Sequence, residues 1–241
     1  MSAPDPLVRL RDATRARVAL GRAGDALPTA RLLELRAAHA AARDAVHDPL
    51  DVDALVAQVR AELGGDPLVV SSAAGSRAEY LQRPDLGRRL AEGTELPAGE
   101  HDVALVLADG LSPQAVQAHG VPMLQALTGR LDGWRIAPVV VATQARVALG
   151  DEIAAGLGAR SVVVLVGERP GMSSTDSLGV YFTFDARRGR RDSERNCLSN
   201  IRPPHGTGYE AAATTCAMLM AEAKRLGLSG VALKADPALT G

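Results

Sequence analysis

Between residues 32 and 46 the sequence LLELRAAHAAARDAV sets apolar side chains at helical spacing among alanine and arginine, and Pro28 and Thr29 mark its start, so a helix is predicted. DVDALVAQVRAEL at 51–63 repeats the pattern and ends at Gly64 and Gly65, the usual punctuation of a helix C-terminus. The period then changes. PLVVSS at 67–72, VALVLA at 103–108, IAPVVVA at 136–142 and SVVVLV at 161–166 are short, nearly unbroken apolar runs rich in β-branched residues, as expected of parallel strands covered on both faces. Helical segments are predicted between them at 112–118, with Ser112 as N-cap, at 121–131 and at 148–157, the last ending at Gly158. A final helix is expected over 210–225, after the loop RPPHGTGYE. The alternation predicts an α/β fold, Rossmann-like and doubly wound with a mostly parallel sheet. A helical lobe at residues 1–64 would precede an α/β domain at residues 65–241.

Composition narrows the function. The chain has 241 residues, enough for a substantial core, and 27 basic against 28 acidic residues leave a formal charge of -1, so no global field attracts a nucleic acid or an anionic membrane. Lys224 and Lys234 are the only lysines, so nearly every cation is a planar guanidinium suited to carboxylate, phosphate or amide groups. Cys197 and Cys216 stand far apart in the chain, and no apolar run approaches the roughly 18 residues of a membrane span. The opening MSAPDPLVRLRD lacks the apolar core of a secretory signal, which predicts a cytoplasmic protein.

Candidate chemistry lies where strands give way to helices, the edge at which open α/β sheets bind ligands. Three connections qualify: Asp109-Gly110-Leu111-Ser112, Thr143-Gln144-Ala145-Arg146-Val147, and Gly167-Glu168-Arg169-Pro170-Gly171. The first also reads as ordinary turn and capping chemistry. Glu168 and Arg169 at the mouth of a buried strand need partners. Cys197, in ERNCLSNI, reads from the residues first as a small buried hydrophobe, the commoner role of a lone cysteine, and only second as a functional thiol. Gly206-Thr207-Gly208 could offer amides to a phosphate, and Arg83, Arg88 and Arg89 are candidate interface cations. Gly156-Leu157-Gly158 follows a helix and precedes a strand, the reverse of a dinucleotide fingerprint, and the five histidines never pair at metal-ligand spacing. From the residues alone the chain is an α/β binding module with a crevice, and a nucleotide-binding or regulatory module remains the alternative.

TRARVALGRAG at 14–24, RPDLGRRL at 83–90, ADGLS at 108–112, LVGERPG at 165–171 and CLSNI at 197–201 fall in the order and spacing of one family. With them the chain resembles the ethanolamine ammonia-lyase small subunit over almost its whole length. The resemblance implies adenosylcobalamin held against a large (β/α)8-barrel subunit, with the cofactor's own dimethylbenzimidazole on cobalt and hetero-oligomers of large-small pairs. It places cofactor contacts on Val147, through its backbone amide, on Glu168 and on Cys197, and assigns no catalytic residue and no metal ligand to this chain. The implied reaction is radical conversion of ethanolamine to acetaldehyde and ammonia. The residues before RLRDATRARV are fewer than the longer N-terminal extension that some members of the family carry, which weakens the expectation of enclosure in a bacterial microcompartment, and RPPHGTGYE departs from the commoner family form.

Overall fold

A computed structural model describes residues 20–233 together with 7, 9, 10 and 16–18. Of the stretch TRARVALGRAG, residues 14, 15 and 19 lie outside the described residues. Two helices come first, α1 (Thr29–His47) and α2 (Val52–Leu63), the second capped by the Asp51 side chain, which accepts from Ala54 N at 3.0 Å. β1 (Leu68–Ser71), α3 (Arg77–Gln82) and a short turn of 3-10 helix at Leu86–Arg88 lead to β2 (His101–Ala108) and α4 (Pro113–Thr128). Then follow β3 (Val140–Thr143), α5 (Leu149–Leu157), β4 (Ala159–Gly167), β5 (Leu178–Phe184), β6 (Arg195–Ile201) and α6 (Tyr209–Leu226).

The six strands form one sheet in the order β1-β3-β2-β4-β5-β6. β1, β3, β2 and β4 run parallel, as their apolar runs predict, whereas β5 is antiparallel to β4 and β6 to β5. The class is α/β, and the sheet is mixed. Residues 185–194 join β5 and β6 directly, and so short a link can only reverse the chain, because a parallel return needs a crossover of about a dozen residues or more.

Alternate residues of each central strand enter different cores, the period of two that a sheet covered on both faces requires. Val103, Leu105 and Leu107 of β2 pack with Val116 and Leu124 of α4, Leu55 and Val59 of α2, and Ala213 and Met220 of α6. Ala104, Val106 and Ala108 face the other way, against Leu149, Ile153 and Leu157 of α5. Burying one such aliphatic side chain contributes roughly 1.5–3 kcal/mol. α2 therefore shares the sheet's core, while α1 buries only Ala45.

Two predicted elements change shape. The segments at 112–118 and 121–131 are one helix, α4, with Pro122 inside it. Gly120, between the two segments, is where the helix lies close to the sheet: an added Cβ would stand 2.9 Å from a Leu107 methyl. The run at 136–142 is cut by Pro138, which has no N–H for a ladder, so β3 begins at Val140 and Ile136 keeps only an isolated bridge to Val103. Among the described residues no helix is long and apolar enough to cross a membrane.

Candidate functional site

The carboxyl ends of β2, β3 and β4 meet at an open cleft of about 400 Å³ lined by Tyr80, Gly110, Leu111, Arg146, Val147, Glu168, Arg169 and Tyr181. Asp109, the first residue after β2, is only 3% exposed. Its carboxylate accepts from Gln144 N at 2.7 Å, Ala145 N at 2.9 Å and Arg77 Nη1 at 3.1 Å. The loop after β3 is thus bolted to the end of β2. Burial pushes the Asp109 carboxyl upward, and the Ala145 and Gln144 amides and Arg77 oppose it. Gly110 takes φ +57 and lies so close to β4 that a Cβ would stand 2.3 Å from Gly167 O, which explains the glycine after Asp109.

Tyr80 of α3 lies under this loop, fully buried, and donates its hydroxyl to Ala145 O at 3.1 Å. The guanidiniums of Arg77 and Arg146 stack on its ring, 4.9 and 4.5 Å from the centroid. Burial holds the phenol well above its ordinary range, so it stays a donor. The loop therefore presents the Val147 backbone at a fixed place. Its carbonyl accepts from Gly150 N at 3.0 Å, and no acceptor for its N–H is found among the described residues.

Glu168 follows β4. Its carboxylate accepts from the Ser177 hydroxyl, from Ser199 Oγ at 2.5 Å and from Asn200 N at 3.2 Å, so donors from either side of β5 fix its direction. Ser112 has two tasks: it caps α4 by accepting from Ala115 N at 3.2 Å and donates to Thr175 O at 2.7 Å, tethering the loop that follows Glu168. Arg169 closes no ion pair with Glu168; it is exposed and lines the cleft on its own.

Cys197 lies on β6 opposite Tyr181, which separates it from the cleft. Its side chain is exposed, yet desolvation against the sheet pushes the thiol upward, with the Tyr181 hydroxyl drawing it down and Glu168 adding to the rise. Val147 and Glu168 are thus brought to one cleft, and Cys197 stands behind its Tyr181 wall. Gly206 and Thr207 fold back on β6 instead, through Thr207 N to Asn200 O at 2.8 Å and Arg202 N to Thr207 O at 3.2 Å. Arg83 pairs with Asp85 at 2.8 Å on the surface, and Arg88 and Arg89 line a separate hollow with Glu152.

Tyr80, Tyr181, Ser177 and Ser199 belong to the site without having been marked by the sequence reading. A signal existed for the first two: with 3 Tyr, 2 Phe and 1 Trp in the chain, two tyrosines at one cleft are a large share of its aromatic surface.

The family model described as ethanolamine ammonia-lyase light chain (EutC) matches residues 4–234. The chain belongs to that family. An ethanolamine ammonia-lyase small subunit of Rhodococcus erythropolis is 52% identical over 226 residues, covering 93% of this chain and 88% of that protein. Proteins of the same name from Ralstonia nicotianae and Azotobacter vinelandii are 51% and 52% identical over 240 residues, each covering 95% of this chain and 88% of the relative. The ethanolamine ammonia-lyase light-chain family thus accounts for almost the whole of the fold, including every strand end at the cleft.

Proposed function

We propose that this chain is the small subunit of an adenosylcobalamin-dependent ethanolamine ammonia-lyase and that its cleft holds one edge of the corrin against a large partner subunit. The observation that carries the reading is the pairing, in one cleft, of a backbone donor with no acceptor among the described residues, Val147 N–H, and a carboxylate fixed by three donors, Glu168. A corrin is rimmed by carboxamides, each with a donor and an acceptor, and a few fixed polar groups in a shaped cleft set the orientation of such a ligand. The residues fit the group. Val147 N–H would donate to a carboxamide oxygen, Glu168 would accept from a carboxamide nitrogen, and the Cys197 thiol, held neutral, would add a weak contact behind Tyr181.

When bound, the cofactor supplies the 5′-deoxyadenosyl radical that begins conversion of ethanolamine to acetaldehyde and ammonia. Substrate groups are assigned to the large subunit, so this chain's work is to bind and orient, and the assembly is taken as an oligomer of large-small pairs. In this reading the parallel strands act as a Rossmann-like half that offers its carboxyl ends to the ligand. Residues 65–241 would be the cofactor-facing part, and residues 1–64 a helical part lending α1 to the rim.

Glu168→Gln tests the assignment. The amide keeps the size but turns an NH2 group toward donors that now point at oxygen, so cobalamin affinity of the large-small complex should fall about tenfold, the worth of ~1.4 kcal/mol. Equilibrium dialysis of the assembled complex measures it, with the large subunit co-purifying as before. Unchanged affinity would remove Glu168 from the site.

A further inference from the structure

Gln144 stands between Thr143, the last residue of β3, and the cleft residues Arg146 and Val147, and its φ of 53 lies in the left-handed region that a glutamine seldom adopts. Such strain persists only where the surroundings hold it. A left-handed residue can turn successive amides toward one point, and here the Gln144 and Ala145 amides converge on the two oxygens of Asp109 at 2.7 and 2.9 Å. The side chain holds the turn as well. In the amide orientation that satisfies its neighbours, the Gln144 nitrogen donates to Ser76 O at 3.2 Å and to Ala74 O, both in the connection from β1 to α3. Ala74 is buried, and among the described residues its carbonyl has no other donor, so this clasp also satisfies an interior acceptor. The next amide, that of Arg146, donates to Gly87 O at 2.8 Å. Three consecutive amides, 144 to 146, are thus engaged within the protein, and Val147 N–H is the first in the loop without an acceptor among the described residues.

We propose that Gln144 is a positioning residue: its left-handed turn and its side-chain clasp together set the direction of Val147 N–H, and without them the turn relaxes and the donor swings away. The proposal rests on the cobalamin reading of the cleft and adds the residue that aims its free donor. Asp109 and Tyr80 fasten the loop to the end of β2 and to α3, through the Gln144 and Ala145 amides and the Ala145 carbonyl. Gln144 fastens it sideways, across the sheet edge to residues 74–76. A loop held from one side can still rotate about its fixed atoms, whereas a second clasp from another direction fixes where the following amide points.

Two variants separate the clasp from the turn. Gln144→Glu keeps the size and shape but sets a carboxylate against two carbonyl oxygens, whereas Gln144→Gly keeps the left-handed turn at no steric cost and deletes the clasp. Each would be made in the large-small complex and compared with wild type by equilibrium dialysis of cobalamin, by amide hydrogen exchange at 144–147 and along β2 and β3, and by urea denaturation. We expect Gln144→Glu to weaken cobalamin binding at least about tenfold and Gln144→Gly about threefold. Exchange should quicken at Val147 and its neighbours while β2 and β3 keep their protection, a local response that a merely structural role would not give. Unchanged affinity in Gln144→Glu overturns the role. So does a loss of affinity with exchange at Val147 unaltered, or with protection lost throughout β2 and β3 and the urea midpoint lowered in step. In any of these cases the cleft still stands on its Glu168→Gln result, and a wild-type complex that binds no cobalamin overturns both.

Discussion

Two buried carboxylates, Asp109 and Asp151, are nearly equally hidden, at 3% and 2% exposed, and do different work. Asp151, in the first turn of α5, gives both oxygens to one cation: Arg195 of β6 donates at 2.8 and 2.7 Å, and the same guanidinium also reaches Thr183 Oγ1 and Arg190 O. Asp109 divides its oxygens among two backbone amides and the edge of Arg77. Burial raises both carboxyls, and the partners oppose it in both. The difference lies in what is held. Asp151 joins a helix to an edge strand, a fixed distance inside the scaffold. Asp109 holds the path of a loop whose next residues, Arg146 and Val147, form the cleft. A buried charge can thus serve the fold or the site, and its partners tell which.

Substitution should separate the two roles, beginning with the scaffold. Arg195→Leu leaves the buried Asp151 without the guanidinium that engages both its oxygens, and removal of one member of a buried pair costs ~3–5 kcal/mol. The loss is expected in urea denaturation of the large-small complex, with cobalamin affinity unchanged at temperatures where the variant is folded. A fall in affinity equal to that of a site variant would end the distinction.

Asp109→Asn is the smaller lesion. One side-chain oxygen remains, but an NH2 group now faces a backbone N–H, and one unmatched buried donor costs about 1–3 kcal/mol. Here affinity for corrinoids should fall together with stability, because the loop carrying Val147 loosens. Hydrogen exchange of the amides at 144–147, measured against those of β2, reads the loosening directly. Protection retained across the loop would show that Tyr80, through its bond to Ala145 O, suffices to hold it.

The site was legible in the sequence to the extent that it sits on strand ends. β2 and β4 are long apolar runs, so the positions of Asp109 and Glu168 follow from where those runs stop, and the Ser112 cap follows from the proline after it. What joins the pieces was not legible. Tyr80 reaches Ala145 across 65 residues, and Glu168 meets Ser199 across 31, pairings that no local period encodes. β5 and β6 escaped notice for a related reason. LGVYFTF has strand composition, but RNCLSNI is polar on its open side and pairs only because the hairpin brings it there. Cys197 consequently looked like part of an irregular stretch, although it occupies a regular strand position opposite Tyr181.

The two cysteines repeat the contrast between interior and rim on the smallest energetic scale. Cys216 is 1% exposed inside α6's core face, and burial pushes its thiol up to about 12. Cys197 is exposed on β6, and its thiol is raised too, first by desolvation and then by the Glu168 charge. Alkylation requires the thiolate, and a raised pKa leaves less of it at any pH below that value. At pH 8, Cys197 should therefore react with iodoacetamide more slowly than a free cysteine, and the rate should climb as the pH passes 9, the ordinary value for the group. Cys216 should remain unmodified until the chain unfolds. Peptide mass spectrometry resolves the two sites, and Glu168→Gln, by removing the neighbouring charge, should speed Cys197 modification at pH 8. A Cys197 rate equal to that of free cysteine, with no response to Glu168→Gln, would mean that carboxylate and thiol do not sense each other across the cleft wall, and a shared contact with one ligand would lose its electrostatic support.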